Sequence, residues 1–375
     1  MRKRILVAAG LLVVAAAAVF FLAGRGGKTA WKPGQIVWQR YTGPCVCFNP
    51  AAYGDTVYFG SEPVSRIYLL SRILPSRCYL QAVDAATGKR RWRMKVDDRV
   101  TVAPLVADGT VYFGTWGHQF FAVEEKTGKE KWNFSAENPF QASPVLTADG
   151  KSIALFWRDG YVYILDRETG GVRWKYAAGG DVGSGLATRG ETVFGGNSFG
   201  SVFAVDLQTG RTKWSHTAGK AISNSTPAIA GDMLYIGSLD GNLYALDVAT
   251  GREKWRFPAG AAIETSPRLS DGTVFFGCNN GTLYAVDALL GSKKWAFKAR
   301  GSIRSSPALA DGVVYFGCEG GDFYAVDSAT GRELWSLNVG RAINTDPVIA
   351  GDVVCFGDFA QNMYAVCIKA SERGK

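Results

Sequence analysis

The sequence predicts an all-β chain: an eight-bladed β-propeller closed by its own N-terminal strand and preceded by one N-terminal hydrophobic helix. Three observations carry this. Tryptophan recurs at positions 38, 92, 132, 174, 214, 255, 295 and 335, with spacings of 54, 40, 42, 40, 41, 40 and 40 residues. Seven of these tryptophans end one 11-residue pattern, from AVDAATGKRRW at 82–92 to AVDSATGRELW at 325–335. The chain also finishes without a tryptophan strand, whereas Trp38 stands before the first complete unit. A repeat of about 40 residues is the period of a propeller blade. At 375 residues the chain exceeds the ~250–300 that one compact core sustains, which a repetitive fold explains.

The elements follow in order. Residues 1–4 read as a cytoplasmic basic tail, Arg2-Lys3-Arg4. Ile5 to Gly24 is an uncharged run of 20 residues, long enough as a helix to cross a hydrocarbon core of ~30 Å. Basic residues before it hold the N-terminus inside and send the rest across the membrane. The rival is a cleaved signal peptide, but Phe21 or Leu22 would occupy the position three before a late cut, where a small residue is needed. An uncleaved anchor is the expectation. Leu22-Ala23-Gly24 is followed by Arg25 where a lipoprotein signal requires cysteine. Residues 25–33 form a linker and 34–375 the propeller.

Each unit reads as four short strands. One runs through a Ser-Pro or Thr-Pro step such as Ser306-Pro307, one through a segment such as Val313–Gly317, one through the Tyr-Ala-Val-Asp segment, and one carries the tryptophan. Asp240-Gly241, Asp271-Gly272, Asn280-Gly281 and Asp311-Gly312 supply tight turns. The last unit has Val353–Phe356 and Met363–Val366 but no tryptophan strand, so the strand Gln35–Gln39 completes it. Such closure removes the exposed edges of a linear array. Blade 1 departs from the period: its interval is 14 residues longer than 40, and the excess lies between Gly60 and Leu80. A loop of that length in a repeat array points to binding.

The pattern A-x-D-x-x-T-G-x-x-x-W resembles the tryptophan-docking repeat of pyrroloquinoline-quinone-type propellers, and the resemblance covers residues 34–375. It implies that each tryptophan docks between neighbouring blades and is structural: Trp38, Trp92, Trp132, Trp174, Trp214, Trp255, Trp295 and Trp335. One branch of the family holds quinone-dependent alcohol and sugar dehydrogenases. The other is the cofactor-free propeller of the bacterial outer-membrane β-barrel assembly machinery. The size and the bare blades look like the second. The first implies a vicinal Cys-Cys disulfide and a Ca²⁺ site with an acidic base, and no Cys-Cys occurs in this sequence.

Composition excludes further classes. Six of the 42 basic residues lie in 1–33 with no acidic residue, leaving 36 basic and 33 acidic residues in 34–375, so no nucleic-acid face is expected. Two histidines in the whole chain argue against a multi-histidine metal enzyme, and no metal site is assigned. Gly196–Gly200 matches G-x-S-x-G but lies between strands, not at the strand-to-helix turn a nucleophile elbow needs.

Alignment of the blades nominates a ring at the channel mouth: Gln141, Asn224, Glu264, Arg304 and Asn344 before the proline steps, and Asp358 after the second strand. These positions vary between blades, which suggests surface. Glu264 and Arg304 fall at equivalent positions of adjacent blades, within ion-pair reach. Arg66, Arg72 and Arg77 of the long loop, with the aromatics Trp116 and Trp157 in the same loop layer, are the expected partner-binding set. Phe199 and Phe359 belong to that layer too, where aromatics either anchor a partner or fill the floor of the funnel. Cys45 and Cys47 share one end of blade 1 with Cys78, so Cys78 bonding Cys45 or Cys47 is one reading, and a three-thiolate site the other. The functional expectation is an exported, membrane-anchored, non-catalytic scaffold for envelope protein partners, with no cofactor. Its rivals are a pyrroloquinoline-quinone dehydrogenase using Ca²⁺ and a small-ligand sensor. Intact-mass measurement of the protein in membranes should return a chain that keeps residues 5–24; a start near residue 19 or 25 would reject the anchor.

Overall fold

The computed structural model describes residues 31–43, 49–61, 78–100, 102–135, 138, 140, 142–181 and 183–369. The segment 5–24, the long loop with Arg66, Arg72 and Arg77, and Cys45, Cys47 and Gln141 lie outside the described residues, among which no helix is long and apolar enough to cross a membrane.

Eight four-stranded antiparallel sheets make up the described chain. Blade 1 holds Ala51–Tyr53, Thr56–Ser61, Cys78–Asp84 and Arg90–Val96, and six further blades repeat this consecutive order. Blade 8 alone is composite: Ile36–Tyr41 pairs with Asn362–Cys367, followed inward by Val353–Gly357 and Val348–Ala350. Trp38 lies opposite Ala365, and Gly34 and Cys367 are tied by a 2.9 Å backbone hydrogen bond. The expected closure and blade count hold. The innermost strands neighbour one another around the ring, that of blade 8 meeting that of blade 1.

The residue types explain the layers. Second and third strands are sealed between neighbouring blades, so they read as near-continuous apolar runs such as Thr110–Gly114 and Gln119–Glu124. Outermost strands alternate half-buried and exposed, as in Glu333–Asn338. The Asp-Gly pairs at 271–272 and 311–312 are hairpin turns with positive φ at both residues, 48° and 67° in the first. Those at 240–241 and 280–281 sit in longer loops, where only the glycine takes positive φ.

The recurrent pattern builds one joint in each of blades 1 to 7. Its Asp caps the turn: Asp206 Oδ1 accepts the Thr209 N–H and hydroxyl, both at 2.9 Å. Its Gly supplies a flat seat for the preceding blade's tryptophan. Gly251 has φ +70° and a β-carbon there would stand 2.5 Å from the Trp214 ring, so no other residue fits. The indole N–H then donates across the seam: Trp38 to the Ala85 carbonyl at 2.7 Å, Trp92 to Glu125 at 2.7 Å, Trp214 to Val248 at 2.8 Å and Trp295 to Ser328 at 3.0 Å. Trp132, Trp174 and Trp255 do the same to Arg167, Leu207 and Ala288. Trp335 lies 3.2 Å from the β-carbon position of Gly34, which makes the N-terminal segment the seat for blade 7.

A second belt runs round the hub, through the residue before each proline step. The Thr226 N–H donates to Ser266 Oγ at 3.0 Å, Ser266 to Ser306 Oγ at 2.9 Å, Ser306 to Asp346 Oδ1 at 2.6 Å, and Asp346 to Asn49 Oδ1 at 2.7 Å. Desolvation in the hub pushes the Asp346 carboxyl above its ordinary range.

Two outcomes test these joints. Trp255→Ala should cost about 3–5 kcal/mol as a large-to-small core change, and deleting residues 34–40 should cost more because it opens the ring, both read by denaturant melts. Turn aspartates titrate low: the Arg173 guanidinium and then the turn amides hold Asp166 at about 2, and the Thr209 amide and then Lys213 hold Asp206 at about 2. Because the folded pKa lies below the unfolded value near ~3.9, their contribution is complete above pH ~4 and disappears as pH falls toward 2. The melting difference between wild type and Asp206→Asn should therefore be flat at neutral pH and shrink over that window.

Candidate functional site

One face of the disc carries the loops joining second to third strands and the segments that pass between blades. Its local construction is regular. The residue after each second strand donates its N–H to the carbonyl four residues on, as in Thr115 to Gln119 at 2.9 Å and Asp358 to Asn362 at 2.9 Å. Its own carbonyl accepts from the next blade, as in Ile303 to Cys278 at 3.3 Å and Ile343 to Cys318 at 3.0 Å.

That geometry corrects two expectations. Asp358 is not a mouth residue with a free carboxylate: it is buried, accepting Asn362 N–H at 2.8 Å and the Tyr364 hydroxyl at 2.9 Å. Trp157, at the equivalent position, is not an exposed anchor. It is fully buried, its indole N–H bonds the Asn138 carbonyl, and its ring meets Phe134, Phe140 and Tyr163 at 5.1–5.5 Å. This position is variable because each blade caps its loop differently. In blade 4, Asn197 Oδ1 takes the Phe199 and Ser201 amides. Variation here reflects turn chemistry under the next blade, not exposure.

Of the positions before the proline steps, four of the five nominated lie among the described residues. Asn224 and Arg304 are exposed, and Glu264 and Asn344 half-buried. Arg304 Nε lies 3.3 Å from Glu264 Oε2 and 3.4 Å from Glu319, and Asn279 donates to the same Glu264 oxygen at 2.6 Å. The pair is real and is a bridge of three charged groups spanning blades 6 and 7. Exposed pairs of this kind contribute little to stability. The Asn344 Oδ1 is buried with no hydrogen bond among the described residues.

Trp116 is half-buried, with the guanidiniums of Arg99 and Arg158 5.6 and 5.9 Å from its ring. Neither arginine was nominated from sequence. Arg99 lies in the segment entering blade 2 and Arg158 directly follows Trp157, so both flank residues that the repeat alignment had singled out. Phe199 and Phe359 stand out from the same face, 76% and 56% exposed, but on opposite sides of the ring. Cys78 is buried at the start of its strand, and its two nominated partners lie outside the described residues.

Residues 77–197 and 198–375 match the profile of the family described as outer membrane protein assembly factor BamB. The chain belongs to that family. A solved BamB from Moraxella catarrhalis superimposes with a TM-score of 0.72 at 18% identity, over 91% of this chain and 99% of that one. A europium-containing methanol dehydrogenase gives 0.68 at 15% identity, over 86% and 84%. At such identities the likeness concerns the fold alone. Among curated relatives, the serine/threonine-protein kinase AfsK of Streptomyces griseus is 31% identical over 167 residues, 40% of this chain and 19% of that protein. Quinohemoprotein alcohol dehydrogenase ADH-IIG of Pseudomonas putida is 30% identical over 174 residues, 42% and 22%. The match to each of these two covers about a fifth of the relative's length.

The dehydrogenase relatives raise the question of a quinone and its Ca²⁺. The residues of this BamB-family mouth do not fit them. Calcium needs six to eight oxygens gathered from several groups. Glu264 Oε2 is held by Arg304 and Asn279, both oxygens of Asp358 are held by Asn362 and Tyr364, and the two acids stand in non-adjacent blades. Among the described residues no three acidic, histidine or cysteine side chains gather as a metal-holding group.

Proposed function

We propose that this propeller is a non-catalytic protein-binding scaffold of the bacterial cell envelope, working in outer-membrane protein assembly. In this reading residues 5–24 tether it to the inner membrane and the disc lies on the periplasmic side. The observation that carries the reading is the family match, which runs through residues 77–375 in two adjoining segments rather than a few blades. The loop face supports it. Arg99, Trp116 and Arg158 form an aromatic–arginine cluster of the composition typical of interface hot spots. The blade 1 insertion starts beside it, between Ser61 and Cys78, whose strands lead into the blade adjacent to Trp116. In this reading its Arg66, Arg72 and Arg77 add charge-assisted contacts to acidic or carbonyl-rich partners.

The quinone-dehydrogenase reading rests on the partial likeness to the Pseudomonas putida enzyme. It predicts a new absorbance band and alcohol-dependent dye reduction when quinone and Ca²⁺ are added to the purified protein.

Affinity recovery from detergent-solubilised envelopes tests the scaffold reading. The full chain should bring down a component of the outer-membrane β-barrel assembly machinery. Trimming residues 63–76 to a short turn, or Trp116→Ala, should abolish recovery with melting nearly unchanged. A sharp drop in melting with recovery per folded molecule unaltered would show that the loop is structural and that the site lies elsewhere.

A further inference from the structure

The outer edge of each blade is an unpaired strand, and the sequence treats these edges unequally. Six blades place a cation directly before the docking tryptophan: Arg91, Lys131, Arg173, Lys213, Lys254 and Lys294. In five of them it pairs with the turn aspartate of its own blade. The distances are 2.9 Å for Arg91–Asp84, 2.6 Å for Arg173–Asp166, 3.1 Å for Lys213–Asp206, 3.2 Å for Lys254–Asp247 and 3.5 Å for Lys294–Asp287. Lys131 of blade 2 instead donates to Thr110 Oγ1 at 2.6 Å. Blade 8 has lost both charges, with Val37 and Cys367 in their places.

Blade 7 has lost only one. Asp327 is retained, and its Oδ1 takes the Thr330 N–H at 2.8 Å and hydroxyl at 2.6 Å. The cation is replaced by Leu334, which is 42% exposed. No ion pair reaches Asp327 among the described residues; Arg332 acts on it from further off. The strand Glu333–Asn338 pairs on one side only, with Asp322–Asp327. Charged side chains are what ordinarily keep such edges from accepting another strand. On this edge a leucine stands in the place of the cation, Glu333 is the one charged side chain left on the strand, and the half-buried Asp327 has no ion-pair partner among the described residues.

We propose that the outermost strand of blade 7, Glu333–Asn338, is a docking strand that accepts an extended segment of another protein by strand addition. Main-chain hydrogen bonds to the open edge supply affinity, and alternate side chains supply specificity. The chemistry of the segment follows from the two deviations. It carries an apolar residue to cover Leu334 and, at an adjoining position, a lysine or arginine for Asp327, in the place that Lys294 fills in blade 6. A second copy of this edge does not meet that requirement, because Glu333–Asn338 contains an acid and no base. This surface is separate from the loop face, and the inference does not depend on that site.

Fluorescence anisotropy of a labelled eight-residue peptide of alternating valine and threonine, with one central lysine, tests this on the full chain. The lysine peptide should bind wild type at least about tenfold more tightly than its glutamate counterpart, as expected for a charge pair at a partly desolvated edge. Leu334→Lys, which restores the guard, should lose that binding while melting as wild type. Asp327→Asn should keep some binding but lose the preference for lysine over glutamate. Peptide binding should also slow amide exchange within 333–338. Equal binding to wild type and Leu334→Lys, or no binding to either, overturns the proposal. A dimer in sedimentation that Leu334→Lys dissolves also overturns it, by making a second copy the occupant.

Discussion

Every seam of this disc depends on a tryptophan ring lying flat on a glycine of the next blade. The contact does three things at once. It buries a large apolar face, it gives the indole N–H of seven of the eight tryptophans a carbonyl of the adjoining turn, and it fixes the angle between sheets. The glycine must have positive φ to make the turn and must lack a β-carbon to let the ring approach. The aspartate and threonine beside it hold that turn in shape. The five recurrent residues of the pattern are therefore parts of one joint, and only the outer oxygen of the aspartate is left for a further partner, the adjoining cation in five blades. What distinguishes this chain from a generic propeller has to be sought at positions the joint does not use.

The fold was readable because the joint is repeated. Residue identities forced by packing recur at each period, and the unpaired Trp38 together with the strand-less ending reveals how the ring is completed. The functional layer was less readable, for a physical reason. Variation between blades is a mixture of two signals, exposed surface and local capping. At the position of Asp358 and Trp157 the variation is capping: aspartate, asparagine, serine, cysteine and tryptophan each close a loop beneath the following blade. At the position of Glu264 and Arg304 it is surface, and the predicted ion pair forms, with Glu319 added. Only a three-dimensional neighbour relation separates the two, since both look alike in an alignment of repeats. Arg99 and Arg158 were missed because the repeat alignment nominated positions close to them and not their own, and only the fold brings both guanidiniums to the Trp116 ring.

The same logic locates the interesting departures in what the joint tolerates. Blade 6 replaces the turn's threonine by Leu290 and keeps the aspartate capped through backbone amides alone, to Leu289 at 3.0 Å and Leu290 at 2.9 Å. Blade 7 keeps the cap and gives up the neighbouring cation. Neither change touches the tryptophan seat, so neither weakens the ring. A propeller can vary its perimeter and loop face blade by blade while its seams stay constant, which is how one scaffold supports several unrelated contacts.

The composite last blade has a temporal consequence. Its outermost strand precedes the other seven blades in the sequence and its other three strands follow them, so the disc stays open until all eight blades have been made. Joining ends more than 300 residues apart carries a chain-entropy cost of about 5 kcal/mol if the intervening chain is flexible. Once the seven contiguous blades have stacked, that cost has been met in small steps and the two rims already face each other. The topology thereby ties closure to a contact between the two most distant parts of the propeller: the Asn362–Cys367 edge stays unpaired until Ile36–Tyr41 is laid against it.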